Sequence, residues 1–356
     1  MTPHEARRKI KHYMKNTTMA VVTLNVGDGD AIILRFPKKQ GEGVCCAVVD
    51  CYKADKTFKA LKALNTETIP FICATHPHSD HTRGISKLIR LCRNDGITIK
   101  QFWDSGFRHV SKIQYDLIKL LRELNDIGLI YPTSGYETVI NNVKIKVLSP
   151  SIQLKNRYDT FGTNINNASI VLKLEYPPKD IAPCYQTRES VPDNVLAKEE
   201  QIKQYSVILA GDAQFDAWAR ITEEFPELKK TGNRGQMIDP DVIEHRPLRC
   251  QVLKAPHHMS KHGISLETLE ILHPRHVIAS CSNRSRHGFP HELTVLAVRD
   301  IRNDPEKDDG IYYTGHSTSK KRSGTIVALF RKEVSRPHIF CLKEPVSAPA
   351  PLPRLG

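Results

Sequence analysis

The sequence has 356 residues, and its 52 Lys and Arg residues against 39 Asp and Glu residues give a formal net charge of +13 with histidine neutral. With 40% hydrophobic and 26% charged residues it has the composition of a globular protein with a sizeable core, which excludes wholesale disorder. No apolar run reaches the ~20 residues that a membrane helix needs, because residues 19–36 are interrupted by Asn25, Asp28 and Asp30. We therefore expect a cytoplasmic protein that does not span a membrane.

The charge and the cysteines indicate the kind of partner and the redox state. The positive excess suits an anionic partner, with nucleic acid first and a membrane surface second, and a basic surface that is merely solvated is equally compatible. The nine cysteines are odd in number and include no Cys-x-x-Cys pair. We expect reduced thiols that pack as small hydrophobic groups.

Short apolar runs rich in β-branched residues recur along the chain and predict strands. These runs are residues 20–26, 31–36, 44–49, 69–74, 143–148, 170–174, 206–210, 252–255, 276–280 and 324–330. The clearest helical pattern runs from Ser111 to Asp126, with a Ser111 and Gln114 capping pair at its start and Gly128 at its end. Because strands and helices alternate, the predicted fold class is α/β.

The composition divides the chain into three parts. Residues 1–17 form a basic N-terminal segment, and residues 18–342 form the main domain. Two polar stretches near 177–204 and 228–249 interrupt the strand rhythm and are interpreted as surface insertions that could reach over a site. Residues 343–356 are rich in proline and are expected to be a disordered tail.

The strongest chemical signal is the segment His76 to His81, which directly follows the apolar run 69–74. This segment holds three histidines and an aspartate, and imidazole and carboxylate are preferred ligands of zinc, manganese and iron. An apolar strand followed by ligands appears again before Asp212 and before the pair His257 and His258. Strand ends that deliver such side chains to one rim predict a metal site on a rigid sheet, with room for two ions.

Several motifs resemble one known family. The segment His76 to His81 is similar to the HxHxDH signature of the metallo-β-lactamase superfamily, and the flanking motifs resemble its ComEC-type (competence protein) hydrolase domain. The flanking matches are residues 25–31 with DVGQGDA, 48–50 with a strand ending in aspartate, 166–169 with NNxS, 253–260 with VLKxPHHGS and 286–291 with NxxGHPH. The resemblance implies a four-layer αβ/βα sandwich with a metal site along one edge of its sheets.

The same resemblance implies two divalent metal ions, zinc or manganese, and a set of ligands. The first ion would be held by His76, His78 and a bridging Asp212. The second would be held by Asp80, His81, Asp212 and one histidine of the pair His257 and His258, of which we expect His257 because it comes first after the strand. Asp50 and Asn167 would lie behind the ligands, with Asp50 holding ligand histidines in the right tautomer.

The chain departs from the superfamily where a further histidine usually completes the shell of the first metal. Asn166 and Asn167 stand there instead. An amide oxygen is a weaker donor than imidazole, so we expect the first metal to exchange more easily or to be manganese. Asn25 and Met259 replace an aspartate and a glycine of the family motifs.

A site of this kind hydrolyses its substrate with a water that two cations activate. We expect Asp80 to orient that water and His291 to donate a proton to the leaving oxygen, which makes both catalytic candidates. The candidates for substrate contacts are Ser169, Ser260, Arg286 and His287. Basic clusters at 7–15, 284–286 and 320–322 would supply affinity for nucleic acid.

Three functions are compatible with these features. The preferred one is a metal-dependent phosphodiesterase or nuclease acting on DNA or RNA, favoured by the ComEC resemblance and the basic charge. The alternative is hydrolysis of a small substrate such as a cyclic nucleotide, a lactone or a β-lactam, because a fold does not fix its substrate. The third is a catalytically silent binding module. The complete ligand set argues against it, since clustered histidines and aspartates are costly to keep ordered without metal.

Overall fold

The computed structural model of the protein describes residues 3–161, 164–178, 204–229, 243–282, 285–301, 310–315, 324–332, 334 and 336–342. Much of the two expected insertions lies outside these residues, and so do the tail at 343–356, Arg284 and residues 320–322. Among the described helices, none is both long enough and apolar enough to cross a membrane.

The described strands and helices follow one another in this order. The strands are β1 (Met19–Thr23), β2 (Ala31–Arg35), β3 (Val44–Cys51), β4 (Thr66–Ile69), β5 (Ile72–Ala74), β6 (Thr98–Ile99), β7 (Gln101–Asp104), β8 (Gly128–Ile130), β9 (Glu137–Ile140), β10 (Val143–Ser149), β11 (Val171–Tyr176), β12 (Tyr205–Leu209), β13 (Leu228–Lys229), β14 (Ile243–His245), β15 (Val252–Lys254), β16 (His276–Ala279), β17 (Ile311–Tyr313), β18 (Thr325–Phe330) and β19 (His338–Leu342). The helices are α1 (Pro3–Tyr13), α2 (Ala54–Ala63), α3 (Ser79–Thr82), α4 (Ile85–Asn94), α5 (Lys112–Glu123), α6 (Ile152–Phe161), α7 (Phe215–Glu224), α8 (Leu266–Leu272) and α9 (Glu292–Asp300). Short 3₁₀ turns cover Ile165–Ala168 and Pro256–Met259.

Most of these strands belong to two mixed sheets. Sheet 1 has the order β19-β18-β1-β2-β3-β5-β7-β8, with β4 and β6 attached beside β3. Sheet 2 has the order β17-β16-β15-β12-β11-β10-β9. In sheet 1 the strands β3, β5, β7 and β8 are parallel, and in sheet 2 the strands β12, β15, β16 and β17 are parallel. Each parallel set brings its carboxyl ends, and whatever side chains follow them, to one edge of its sheet.

Alternate side chains of each strand pack into different layers, because successive residues point to opposite faces. In sheet 1, Val21 packs between the two sheets and Val22 packs toward α2, α4 and α5. In sheet 2, Leu172 packs between the sheets and Val171 packs toward α7, α8 and α9. The result is a four-layer αβ/βα sandwich, which confirms the expected fold. Both faces of the central strands are buried, which explains their continuous apolar runs.

The predicted elements are found with small shifts at their ends. Each of the ten apolar runs contains a strand, and run 69–74 is divided at Pro70 between β4 and β5. Helix α5 is capped by Ser111, whose Oγ accepts from the backbone N–H of Gln114 at 3.2 Å. The Gln114 side chain does not complete the pair, because it accepts from the backbone N–H of His109. The described cysteines are all free thiols.

Candidate metal centre

Histidine and aspartate side chains from both sheets meet at the edge where the parallel strands end. Strand β5 is followed by His76, β12 by Asp212 and β15 by His257. The carboxylate of Asp212 lies between them, with Oδ1 3.2 Å from His81 Nε2 and Oδ2 3.9 Å from both His76 Nε2 and His257 Nε2. The two oxygens of Asp212 therefore face two different groups of imidazoles.

The inner cluster, on the Oδ1 side, consists of Asp80, His81, Asp212 and His258. The Nε2 atom of His81 lies 3.4 Å from Asp80 Oδ2, and the Nε2 atom of His258 lies 3.5 Å from that oxygen and 3.7 Å from Asp212 Oδ1. The four ligand atoms all lie within 4.8 Å of one another. Two ligands bound to the same ion at ~2.1 Å stand about 3 to 3.5 Å apart. The cluster therefore has the spacing of a ligand set for one cation.

Three atoms of the inner cluster have no hydrogen-bond partner among the described residues. These buried atoms are His81 Nε2, His258 Nε2 and Asp212 Oδ1. A buried polar group without a partner costs about 1–3 kcal/mol, so three of them at one point are hard to explain by packing. One divalent cation would satisfy all three at once. The residues present therefore fit a metal ion.

The far side of each inner imidazole is held by a hydrogen bond. His81 Nδ1 lies 2.7 Å from Asp50 Oδ2, and that carboxylate also accepts from the backbone N–H and the hydroxyl of Thr75 at 2.8 and 2.7 Å. His258 Nδ1 lies 3.0 Å from the backbone oxygen of Ser280. With Nδ1–H donated in both rings, each Nε2 lone pair is directed into the cluster, as metal-ligating histidines require.

The outer cluster, on the Oδ2 side of Asp212, consists of His76, His78, His257 and Asp212, with Asn166 at its border. The Nε2 atom of His76 and the Nδ1 atom of His78 lie 3.1 Å apart. The Asn166 side-chain amide lies 3.5 Å from His257 Nε2, and its Oδ1 is buried with no partner among the described residues. This arrangement offers imidazole and amide donors for a second cation that would share Asp212 with the first.

The positions of His257 and His258 differ from the expected ones. His258, and not His257, joins Asp80 and His81, whereas His257 turns to the outer cluster. The reason lies in the backbone, because His257, His258 and Met259 have φ of 47°, 55° and 63° in one left-handed turn. This turn buries the ring of His258 and leaves that of His257 20% exposed. Such backbone costs on the order of 1–3 kcal/mol per residue and collects at functional sites.

Charges around the inner cluster favour an added positive charge. Burial opposes protonation of His81, but Asp212, Asp50 and Asp80 outweigh it and raise the pKa of this imidazole well above its usual value. Burial likewise opposes ionisation of Asp212, but His81 and His258 hold the pKa of its carboxyl well below the usual range. The carboxylates therefore demand a cation at this point, which either protons or a metal ion can supply.

The pKa values of the outer-cluster histidines are shifted in the opposite direction to that of His81. Burial lowers the pKa of His76 well below its usual value, and nearby His81 lowers it further. Burial also lowers the pKa of His78 and of His257. These three rings are therefore neutral at physiological pH, which is the form that binds a metal ion.

Comparison with known proteins finds similarity only among solved structures. No protein-family model matches the chain, and no curated protein matches it by sequence. Among solved structures, the metallo-β-lactamase fold protein YhfI from Bacillus subtilis is 11% identical, covering 88% of this chain and 100% of its own, with a TM-score of 0.44.

Two further solved structures are longer than the region they share. The diiron β-hydroxylase CmlA from Streptomyces venezuelae is 10% identical, over 88% of this chain and 54% of its own, with a TM-score of 0.46. A long-form RNase Z from yeast is 9% identical, over 90% of this chain and 42% of its own, with a TM-score of 0.40. All three solved structures share with this chain a similarity of low sequence identity that extends over most of its length. At this level of similarity, the comparisons say nothing about the reaction.

An ion pair next to the centre was missed in the sequence. Lys254, at the end of β15, pairs with Asp30, which directly precedes β2, and both side chains are 1% exposed. The Asp30 carboxylate also lies 4.0 Å from the Nδ1 atoms of both His258 and His81. The available signal was a lysine inside a buried apolar strand, because a fully buried lysine requires a charged partner.

A glycine turn brings Asp30 to this position. A Cβ atom at Gly29 would lie 2.6 Å from the backbone oxygen of Asp80 and 2.6 Å from Tyr52 Cγ, so the turn can approach only without a side chain. The backbone N–H of Asp30 donates to that same Asp80 oxygen at 3.1 Å. The turn before β2 therefore supports the backbone of a candidate ligand.

Three residues expected near the substrate or the ligands have structural contacts instead. Ser169 is fully buried, and its Oγ lies 3.3 Å from His76 Nδ1 and accepts from the backbone N–H of Asp212 at 3.1 Å. Ser260 is also buried, and its Oγ accepts from the N–H of His262. Asn167 accepts from two N–H groups of the first turn of α7. Ser169 is 0% exposed and Ser260 6% exposed, so the substrate contacts expected for the two serines stay predictions.

The loop before α9 carries the other candidates. His291 caps α9, where its Nδ1 accepts from the backbone N–H of Leu293 at 3.3 Å. His287 and Arg286 are exposed, and the His287 ring stacks on Phe289 at 5.5 Å. No described contact brings His291 or Arg286 to the clusters. His109, which the sequence gave no reason to select, contacts the outer cluster, with its ring centroid 5.2 Å from that of His78.

Proposed function

We propose that the protein is a metal-dependent phosphodiesterase that hydrolyses DNA or RNA with two divalent cations held by the inner and outer clusters. The observation that carries this proposal is the set of buried, partnerless atoms around Asp212, namely His81 Nε2, His258 Nε2 and Asp212 Oδ1. Bound divalent cations supply a water of lowered pKa and stabilise the charge that develops on a phosphoryl group. Zinc and manganese both accept such imidazole and carboxylate donors.

The residues of the chain have distinct tasks in this proposal. Asp212 would be shared by the two ions, because its oxygens face different clusters. Asp80 is the only ligand of the inner cluster with a substantially exposed side chain, at 34%, against at most 3% for the others. Its carboxylate is therefore the one that can accept a hydrogen bond from a water approaching from solvent and orient it. Asp50 fixes the tautomer of His81 and remains behind it.

A basic face beside the metal-binding segment supports a polyanionic substrate. Lys87 and Arg90 are exposed and three residues apart, so they lie on one side of α4, and the exposed Arg83 precedes that helix by two residues. Lys119 faces them across a groove of about 510 Å³ between α4 and α5. Two acidic residues, Asp116 and Glu123, also line this groove, which leaves cations in excess. Cations in a row suit the regular phosphates of a nucleic acid.

The experiment combines metal analysis with cleavage assays on the purified protein. Single-stranded DNA, duplex DNA, RNA and a small phosphodiester are assayed with zinc and with manganese. We expect two metal ions per chain and cleavage of at least one nucleic acid. Asp212→Ala should empty both sites, whereas His258→Ala should mainly deplete the inner one and His257→Ala the outer one.

A matched control is His12→Ala, which removes an exposed imidazole on α1. This variant should keep both the metal and the activity. Two full metal equivalents in Asp212→Ala would refute the shared carboxylate. Turnover of a cyclic nucleotide, a lactone or a β-lactam, with no nucleic acid cleaved in either metal, would replace the proposal by hydrolysis of a small substrate.

A further inference from the structure

Two pairs of aromatic rings lie near His257 and His258, one in ring contact with them through Phe289 and one next in sequence to Gln214, which contacts His257. They are Phe215, His262, His287 and Phe289, and we call them the aromatic rim. The ring of Phe289 lies 5.5 Å from that of His258, at an interplanar angle of 28°, and 5.8 Å from that of His257. The exposed ring of His287 stacks on Phe289 at the same distance and angle. Aromatic surface therefore extends from the candidate ligands to solvent.

Phe215 is connected to the candidate ligands through its neighbour in sequence. It is the first residue of α7 and directly follows Gln214, whose side-chain amide nitrogen lies 3.0 Å from His257 Nδ1. Its side chain is 44% exposed, and it is the only phenylalanine among the large exposed apolar side chains of the described residues. The exposed ring of His262 meets it edge to face at 6.3 Å.

A cation accompanies these rings. Lys261 is exposed and directly precedes His262. The aromatic rim therefore offers flat apolar ring faces and a neighbouring ammonium group. Both lie beside residues that suit phosphodiester hydrolysis. A ligand that complements them is a phosphodiester flanked by planar rings. A nucleotide has this chemistry, because a base offers a π-face and its phosphate offers a charge.

We propose that the aromatic rim stacks an unpaired nucleobase next to the scissile phosphodiester of a single-stranded nucleic acid. The inference rests on the proposed function and specifies its substrate. The strand has to be unpaired there, because a base inside a duplex already has both of its faces stacked on neighbours. Phe215 and His287 would contact the base, and Lys261 would face a backbone phosphate.

The test removes the ring and the base separately and together. Cleavage of a single-stranded oligonucleotide is compared with that of oligonucleotides in which one position near the cut lacks its base. For the unmodified protein, loss of the base at the stacked position should lower kcat/KM by a factor of about 5 to 150, the usual effect of one base stack. In Phe215→Ala the same loss should have little effect, because the partner ring is gone.

Three further variants complete the test. Phe215→Leu keeps the apolar bulk and should still lose most of the base effect, and His287→Ala should lose part of it. Tyr115→Ala removes a ring on α5 that is 68% exposed and should behave as the unmodified protein does. Bound metal and the unfolding midpoint of each variant verify that the centre and the fold persist.

Two outcomes contradict the inference without touching the proposed function. One is an equal base effect in Phe215→Ala and in the unmodified protein. The other is faster cleavage of duplex than of single-stranded substrate. If no phosphodiester is cleaved by metal-loaded protein, the proposed function fails first and the rim has no substrate to bind.

Discussion

Replacing Lys254 by methionine tests whether its ion pair with Asp30 joins the two sheets next to the metal centre. The partners are 224 residues apart in sequence, belong to different sheets and are each 1% exposed. Methionine fills a similar volume but removes the ammonium partner of the buried Asp30 carboxylate. Breaking a buried pair in this way costs about 3–5 kcal/mol. We therefore expect Lys254→Met to lower the free energy of unfolding by about that amount.

The measurement is urea unfolding in the presence of a chelator, so that metal binding does not contribute. Trp103 packs between the sheets and Trp218, on α7, packs in the layer between sheet 2 and its outer helices, so tryptophan fluorescence reports on both layers. The exposed pair of Lys62 and Asp95 provides the control, because Lys62→Met should cost less than about 1 kcal/mol.

The double variant Asp30→Asn with Lys254→Met separates pairing from packing. Both side chains are then neutral. The double variant should therefore lose at least about 2 kcal/mol less unfolding free energy than the two single variants lose together. Two results would refute the view that the burial of both charges makes this pair stabilising. One is a double variant whose loss of unfolding free energy equals the sum of the two single losses. The other is a loss below about 1 kcal/mol in Lys254→Met.

Three more predictions concern the surroundings of the site and the sheet edge. Ser169→Ala removes the hydroxyl behind His76, and chelator competition should show metal binding about 10 to 100-fold weaker, with KM unchanged. Asn167→Ala removes the acceptor at the start of α7 and should lower the free energy of unfolding by about 1 kcal/mol in urea. Burial raises the pKa of Glu137, but Lys144 and Lys146 outweigh this effect, so the pKa in the folded protein lies below the ordinary 4.5. The ion pairs of Glu137 therefore stabilise the fold above that value and lose this effect as the pH falls, so Glu137→Gln should be destabilising near neutral pH and neutral in strong acid.

Local patterns carried much of the information about the fold. The apolar runs predicted strands because both faces of the central strands are buried, and burial leaves its mark in consecutive residues. Ser111 predicted the start of α5 because an N-cap acts within three residues of itself. The end of α5 was predicted too late, since the helical pattern runs to Asp126 whereas the helix ends at Glu123.

The candidate ligands were chosen by chemistry that is also local, since histidines and aspartates follow directly after strands β5, β12 and β15. Their roles were not local. Three consecutive residues with positive φ decide whether the ring of His257 or that of His258 faces Asp80. The residue types in that turn do not predict such a backbone. The NNxS motif showed the same limit, because Asn166 borders the outer cluster while its neighbour Asn167 caps α7.

The sequence by itself determined the approximate positions of the strands and the types of ligand at the strand ends. Only the tertiary structure decided which atoms meet, because the contacts at the centre join residues far apart in the chain. Asp30 reaches Lys254, and Asp50 reaches His81, through the arrangement of strands in the two sheets. A shift of one residue turns a side chain to the opposite face of a strand or turn. Neighbours in sequence can therefore have unrelated roles, and the packing of the sheets determines the role of each.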